Sequence, residues 1–277
     1  MSRKGLYATR FVVPKAGVAR SECEDALSVL PHEPYHALLE GVVTAAVCDG
    51  ATESLLSGEW ARTLADHAAR SAIRLDGLFA STAQFQFFAA DVVDQWANWL
   101  KEYVGQRSAR GQPLRWYEEA KLNAGAHATL LAAAFTPDPD PERVQWSWQA
   151  AALGDSCLFH IRDGRLLTAH PVATAEAFGN QPELFGSSNR DTELLVSRTR
   201  FLDGTCVSGD IVLLTTDALA AWFLAQPQPG EAVHVLTEYA RNPGQGEQFE
   251  AWVQEQRDSG ALHNDDIALV HIEAQGR

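Results

Sequence analysis

The stretch Val42–Gly50, reading Val-Val-Thr-Ala-Ala-Val-Cys-Asp-Gly, most constrains what this chain can fold into. Almost every residue before Asp49 is apolar or small, and Val42, Val43, Thr44 and Val47 are β-branched. A strand covered on both faces reads this way, although a run so short also suits a buried helix. Asp49 leaves a carboxylate at its tip, and Gly50 lets backbone approach a ligand closely. Two readings of that tip stand open: a turn closing the strand, or a metal or phosphate site.

The chain's 277 residues suit one β-rich domain, and the expectation is a single domain over 1–277. A hydrophobic content of 46% supplies a sizeable core and excludes a disordered or fibrous class. The formal charge of −14 argues against nucleic acid or an anionic membrane as the main partner. Met1 to Arg10 holds basic residues but no apolar run of signal-peptide length, and no segment has the ~18 uninterrupted apolar residues of a membrane span. Cys23, Cys48, Cys157 and Cys206 show no Cys-x-x-Cys spacing, so free thiols in a reducing cytoplasm are expected.

In chain order, strands are expected over Leu6 to Val13, Asp25 to Leu30 and Val42 to Cys48, with a Gly17 loop after the first. Trp60, Leu64, Ala68 and Ala72 share one face of a helix starting near Leu55. Phe85, Phe88, Val92, Trp96, Trp99 and Tyr103 form a stripe on a second helix, read as core rather than a cofactor box. Pro113 opens a shorter helix through Trp116, Ala120 and Leu122. His127 to Phe135 reads as a strand, Thr136 to Glu142 as a turn, and Val144, Trp146 and Trp148 as the inward positions of a strand filling a sheet interface. That strand is expected to continue through Leu153, with Gly154-Asp155-Ser156 interrupting it.

Cys157 to Ile161 and Arg165 to Thr168 flank Asp163-Gly164, a hairpin signal. Residues 169–190 lose periodicity, which inside a compact domain marks a functional or mobile segment. Leu194 to Phe201 and Ile211 to Thr216 read as strands, and Ala218 to Leu224 as a helix broken at Gln226 to Gly230. A helix carrying Phe249, Trp252 and Val253 and a strand over Ile267 to Ile272 close the chain. This order lacks βαβ alternation and predicts an α+β fold, antiparallel sheets covered by helices.

Acids recur at the strand ends: Glu24 and Asp25, Asp49, Asp155, Asp217, and Asp265 with Asp266. Gathered at one rim, such a set of carboxylates suits Mg²⁺ or Mn²⁺. His127 and His170 read as structural histidines and Cys48 as a buried thiol.

The series Arg20-x-x-x-Glu24-Asp25-Ala26, Asp49-Gly50, Gly154-Asp155-Ser156, Thr216-Asp217-Ala218 and Asp265-Asp266-Ile267 resembles the metal-dependent protein phosphatases of type 2C, over the span from about Leu6 to Ile272. The resemblance implies a four-layer α-β-β-α sandwich with two central antiparallel sheets. It also implies hydrolysis of phosphoserine and phosphothreonine in proteins by water activated between two Mg²⁺ or Mn²⁺ ions. By the same resemblance Asp49 bridges the ions and the Gly50 carbonyl joins one of them. Asp217 and Asp265, with the adjoining Asp266, serve the other, and Glu24 and Asp25 serve the Gly50 side directly or through water. Arg20 holds the phosphate, for which a planar guanidinium is suited. The substrate is then a phosphoprotein made by a serine/threonine kinase.

The chain also departs from the family pattern. Ala218 stands where the family usually has glycine, and Ala51-Thr52-Glu53 replaces a small or glycine-rich continuation. Some relatives carry a histidine, a proposed general acid, where Ala51 stands. Asp155 matches the position of a third ion, but Ala169 replaces an aspartate of that site, so a third ion would be held weakly. Residues 169–190 fall where the family has a mobile flap. These departures motivate an alternative function, a phosphatase-like module that binds a phosphoprotein or regulator without hydrolysing it. Hydrolysis of a small phosphoester is a third reading.

Overall fold

A computed structural model describes residues 4–33, 37–140, 142–179, 181–242, 244 and 246–276. In chain order it contains β1 (Lys4–Val13), β2 (Ala26–Leu30), β3 (Leu38–Leu39), β4 (Val43–Cys48), α1 (Ser57–Arg74), α2 (Thr82–Ala109), α3 (Trp116–Ala124), β5 (His127–Ala128), β6 (Leu130–Pro137) and β7 (Gln145–Leu153). There follow β8 (Cys157–Arg162), β9 (Arg165–His170), β10 (Phe185–Gly186), α4 (Thr192–Arg198), β11 (Arg200–Val207), β12 (Ile211–Thr215), α5 (Asp217–Ala225), α6 (Pro229–Arg241), α7 (Gly246–Asp258) and β13 (Ile267–Gly276).

The strands form a five-stranded sheet, β11-β7-β6-β4-β2, a six-stranded sheet, β3-β1-β13-β12-β8-β9, and a two-stranded pair, β10-β5, each antiparallel throughout. Strand alternation shows how they stack. Val43, Ala45 and Val47 of β4 share one core with Val212 and Leu214 of β12 and Ala268, Val270 and Ile272 of β13, so these faces of the two sheets meet. The opposite face of β4, with Ala46 and Cys48, packs with Trp60, Leu64 and Ala68 of α1 and Phe85 and Phe88 of α2. Leu213, Ile267 and Leu269 pack outward against α5, α6 and α7. The result is the four-layer α-β-β-α sandwich that the resemblance implies. Because β4 is an inner strand with both faces covered, it reads as a near-continuous apolar run.

Trp146 and Trp148 fill the interface between the sheets, as expected. The aromatic stripe is core over Phe85, Phe88, Val92 and Trp96, while Trp99 and Tyr103 prolong it as half-buried stacked rings.

Several expectations need correction. Gly154-Asp155-Ser156 does not interrupt one strand: β7 belongs to one sheet and β8 to the other, and these residues carry the chain across. Gly154 makes the crossing at φ +113, with Thr129 so close that a Cβ would stand 2.6 Å from its methyl carbon. Leu194 to Phe201 is not a strand. Asp191 caps a helix there by accepting the Leu194 N–H, and only after Thr199 does β11 begin. The apolar Leu-Leu-Val triplet suits either state, and the cap decides it. The break expected at Gln226 to Gly230 holds: α5 ends at Ala225, and Pro229 lies in the first turn of the next helix, α6, where proline is tolerated.

His127 to Phe135 divides into β5 and β6. The turn placed at Thr136 to Glu142 starts later, because β6 runs to Pro137; Pro141 within it, Asn180 within 169–190 and the first three residues lie outside the described set. Among the described residues no helix is long and apolar enough to cross a membrane.

Trp60 ties the helical layer to the site wall. Its ring is fully buried against Trp96 and Phe185, and its Nε1–H donates to the Phe185 carbonyl at 2.8 Å. Trp60→Ala is expected to lower unfolding free energy by ~3–5 kcal/mol, the usual range for a buried large aromatic, measured by urea titration.

Candidate metal centre

Five acids from five separate segments gather where the two sheets meet at one end. Asp25 immediately precedes β2, Asp49 follows β4, Asp155 lies on the crossing between sheets, Asp217 opens α5 after β12, and Asp265 stands two residues before β13. An open cleft of about 700 Å³ is lined by Asp49, Gly50, Asp155, Asp217 and Asp265. Ala51, Thr52 and Glu53 form part of its wall, and Phe178, Gly179, Gln181, Pro182 and Leu184 of the aperiodic stretch form another part. None of its described lining residues is Lys or Arg.

The charges in this cleft oppose one another. Burial, then the carboxylates of Asp217, Asp265 and Asp155, pushes the Asp49 carboxyl up to about 8. Asp25 is pushed well above the usual carboxylate range by burial and then by Asp49. Asp155 rises to about 6 through burial and the charge of Asp217, and Asp217 rises through burial and Asp265. Two oxygens, Asp25 Oδ2 and Asp155 Oδ1, are buried with no hydrogen-bond partner. A buried acceptor without a donor is unfavourable unless something else satisfies it.

Gly50 is close-packed here for a steric reason. A Cβ on it would lie 2.8 Å from the Glu24 carbonyl oxygen and 2.9 Å from the Ser57 carbonyl carbon, so no other residue fits without moving backbone. Its isolated bridge with Ala128 runs through Ala51 N–H to the His127 carbonyl and Thr129 N–H to the Asp49 carbonyl, leaving the Gly50 carbonyl outside that pairing. The Asp49 N–H donates to Thr129 Oγ1 at 2.9 Å, which fixes the strand tip.

The other expected site residues take different places. Glu24 accepts from Ser57 Oγ, Thr52 Oγ1 and Lys15 Nζ. Asp266 points its two oxygens at the Lys15 and Glu24 backbone amides, at 2.7 and 2.9 Å, and serves as a fastener between β1 and β2. Arg20 does not line the cleft; its guanidinium is exposed and pairs with Glu250 of α7 at 2.5 Å. His170 is held near the Arg200 carbonyl, and Cys48 is a buried thiol with its pKa raised by burial, as expected of structural groups. His263 was missed by the sequence reading. It lines the cleft and its charge bears on Asp217, and its place two residues before Asp265 was the available signal.

The donor set fits a hard divalent cation: carboxylates and a backbone carbonyl, orphaned buried oxygens, and no lysine or arginine among the described lining groups. As the side chains lie, no three His, Cys, Asp or Glu groups among the described residues close on a point tightly enough to hold an ion.

The raised carboxyl groups make a pH prediction for the protein without added metal. Asp49, with its folded pKa of about 8 against an unfolded value near 3.8, binds its proton more tightly when folded. Its contribution is therefore full below ~4 and is lost as pH rises through about 8. Melting temperature in EDTA is expected to fall between pH 5 and 9, and Mn²⁺ is expected to restore it at the alkaline end.

No family model matches the chain. No curated protein matches it by sequence either. Solved structures do match, across nearly its whole length. The serine/threonine phosphatase Stp1 from Staphylococcus aureus superposes with a TM-score of 0.55 at 14% identity, covering 97% of this chain and 94% of that one. The photosystem II phosphatase PBCP gives 0.54 at 15% identity, over 97% and 98%. The structure of the PP2C phosphatase domain with a fragment of the regulatory domain of SpoIIE from Bacillus subtilis gives 0.51 at 12% identity, over 100% of this chain and 64% of that one. The chain has the fold of the PP2C-type serine/threonine phosphatases.

Proposed function

We propose that this chain hydrolyses phosphoserine or phosphothreonine in proteins, with Mg²⁺ or Mn²⁺ held at the acid cluster. The supporting observation is the convergence of Asp49, Asp155, Asp217 and Asp265 on one cleft with Asp25 buried beside it, Asp49 interacting with all four of the others. Asp49 and the Gly50 carbonyl would hold one ion with Asp25. Asp217 and Asp265 would share the second with Asp49, and a weakly held third would sit at Asp155. When bound, such ions lower the pKa of water and neutralise phosphoryl oxygens, which phosphate-monoester hydrolysis requires.

The chain's own groups do the rest. The cleft is open and has room for a phosphorylated side chain, with Phe178, Gly179, Gln181, Pro182 and Leu184 along one wall. On this reading residues 1–277 form one phosphatase domain, and that wall belongs to its flap. Arg20 would reach the phosphate by leaving Glu250, an exchange between exposed partners that costs at most ~1 kcal/mol. His263 lines the cleft and would give a proton to the leaving serine or threonine oxygen, a task for which Ala51 offers nothing. Four buried free thiols suit a reducing compartment, and we place the protein in the cytoplasm. Its partner would be the phosphorylated target of a serine/threonine kinase.

A second reading, a module that binds a phosphoprotein without turnover, is favoured by the Arg20–Glu250 pair lying outside the cleft. An assay with phosphothreonine peptide separates the two. Turnover that requires Mn²⁺ or Mg²⁺ and is lost in a folded Asp49→Asn variant supports hydrolysis; no turnover under any metal supports the module.

Replacing His263 tests the proton path. His263→Ala is expected to lower kcat on phosphoserine peptide by ~100-fold, the low end for a general acid, and to change hydrolysis of an aryl phosphate little. Equal losses on both substrates would remove His263 from that role.

A further inference from the structure

Glu24 is fastened at both of its oxygens. Oε1 accepts from Ser57 Oγ at 2.5 Å, Oε2 accepts from Thr52 Oγ1 at 2.6 Å, and the Lys15 ammonium stands 3.3 Å from Oε2. The two side chains of this ion pair are only 23% and 19% exposed, so it is drier than a surface pair. Lys15 is held in turn through its backbone. Asp266 receives the Lys15 N–H on one oxygen and the Glu24 N–H on the other. The charges of Asp265 and Asp266 also bear on the ammonium.

The donors to Glu24 come from segments the site depends on. Thr52 lies in the loop directly after Asp49-Gly50, and Ser57 opens α1 against the backbone of Gly50. Lys15 lies in the loop leaving β1. A carboxylate with three donors from its own chain has little capacity left for a cation, and its neighbour Asp25, with an orphaned oxygen, has that capacity.

We propose that Lys15 is a resident cation of the acid rim, which with Thr52 and Ser57 keeps Glu24 out of the metal ligand set and makes it a positioning residue for Gly50 and Asp25. This rests on the metal reading given above. It narrows the protein ligands to Asp25, Asp49, Asp155, Asp217, Asp265 and the Gly50 carbonyl. It also makes metal affinity depend on one tethered positive charge.

Titration calorimetry with Mn²⁺ on the full chain tests this without any activity readout, with circular dichroism confirming folded variants. Lys15→Met removes the charge and keeps the aliphatic stem, so Mn²⁺ affinity should tighten about three- to tenfold, the scale of one unit charge at a partly screened site. Lys15→Arg should keep wild-type affinity. The double variant Lys15→Met with Glu24→Gln removes both charges of the pair and should bind within about threefold of wild type. Glu24→Gln alone, which keeps one acceptor oxygen and puts an NH2 donor in place of the other, should leave the number of ions bound unchanged.

A double variant that weakens binding tenfold or more, or a Glu24→Gln protein that loses an ion, would make Glu24 a ligand and overturn the proposal. So would a Lys15→Met protein with unchanged or weaker affinity, or a Lys15→Arg protein that tightens like Lys15→Met. If Lys15→Met fails to fold, the ion count of Glu24→Gln decides. Wild-type protein that takes up no Mn²⁺ would overturn the metal reading and this proposal together. Uptake by wild type that Asp49→Asn abolishes keeps the two apart.

Discussion

Like charge confined where two sheets meet is the constraint on which this structure turns. Asp25, Asp49, Asp155 and Asp217 each lose hydration, and each feels at least one of the others or Asp265, so their protons are held more tightly than in water. Two of the buried oxygens have no donor at all. A fold tolerates such an arrangement when the surrounding structure holds it in place.

The sandwich supplies the holding. β4 is locked between β2 and β6 with both faces buried, so Asp49 emerges from a strand whose register cannot slip without turning its apolar side chains outward. The chain crosses between sheets at Asp155, and α5 begins at Asp217 directly beyond β12. Asp266 fastens the loops before β2 and β13 to each other through two backbone amides. Gly50 lets that apparatus close, since a methyl group there would strike the backbones of Glu24 and Ser57. The acids are thus placed by elements whose own stability comes from apolar packing elsewhere.

Much of this was legible in the sequence because it is written in local patterns. The apolar run ending in Asp49-Gly50, the alternating tryptophans of β7 and the Asp163-Gly164 hairpin each report their state through periodicity or turn chemistry. The crossing at Asp155 was not legible, since a change of sheet has the same local signature as a break within a strand. α4 was misread because Leu194-Leu195-Val196 suits strand or helix, and the deciding cap from Asp191 lies just outside the triplet. At the site, the strand-end acids singled out in the sequence do gather near one cleft, but spacing does not show how their oxygens are used. Asp266 and Asp265 are adjacent in sequence, yet the first accepts two backbone amides and the second lines the cleft. The pairing of Arg20 with Glu250 joins residues 230 positions apart, which no local pattern reports.

The account depends on Asp49, Asp217 and Asp265 drawing together around bound ions. Crystals soaked in Mn²⁺, with anomalous scattering recorded at the manganese edge, address this most directly. The account predicts two strong peaks in the cleft, with Asp49 reaching both and Asp217 and Asp265 ligating one of them. A cleft without peaks at saturating Mn²⁺, or ions bound elsewhere with these three carboxylates apart, would contradict it.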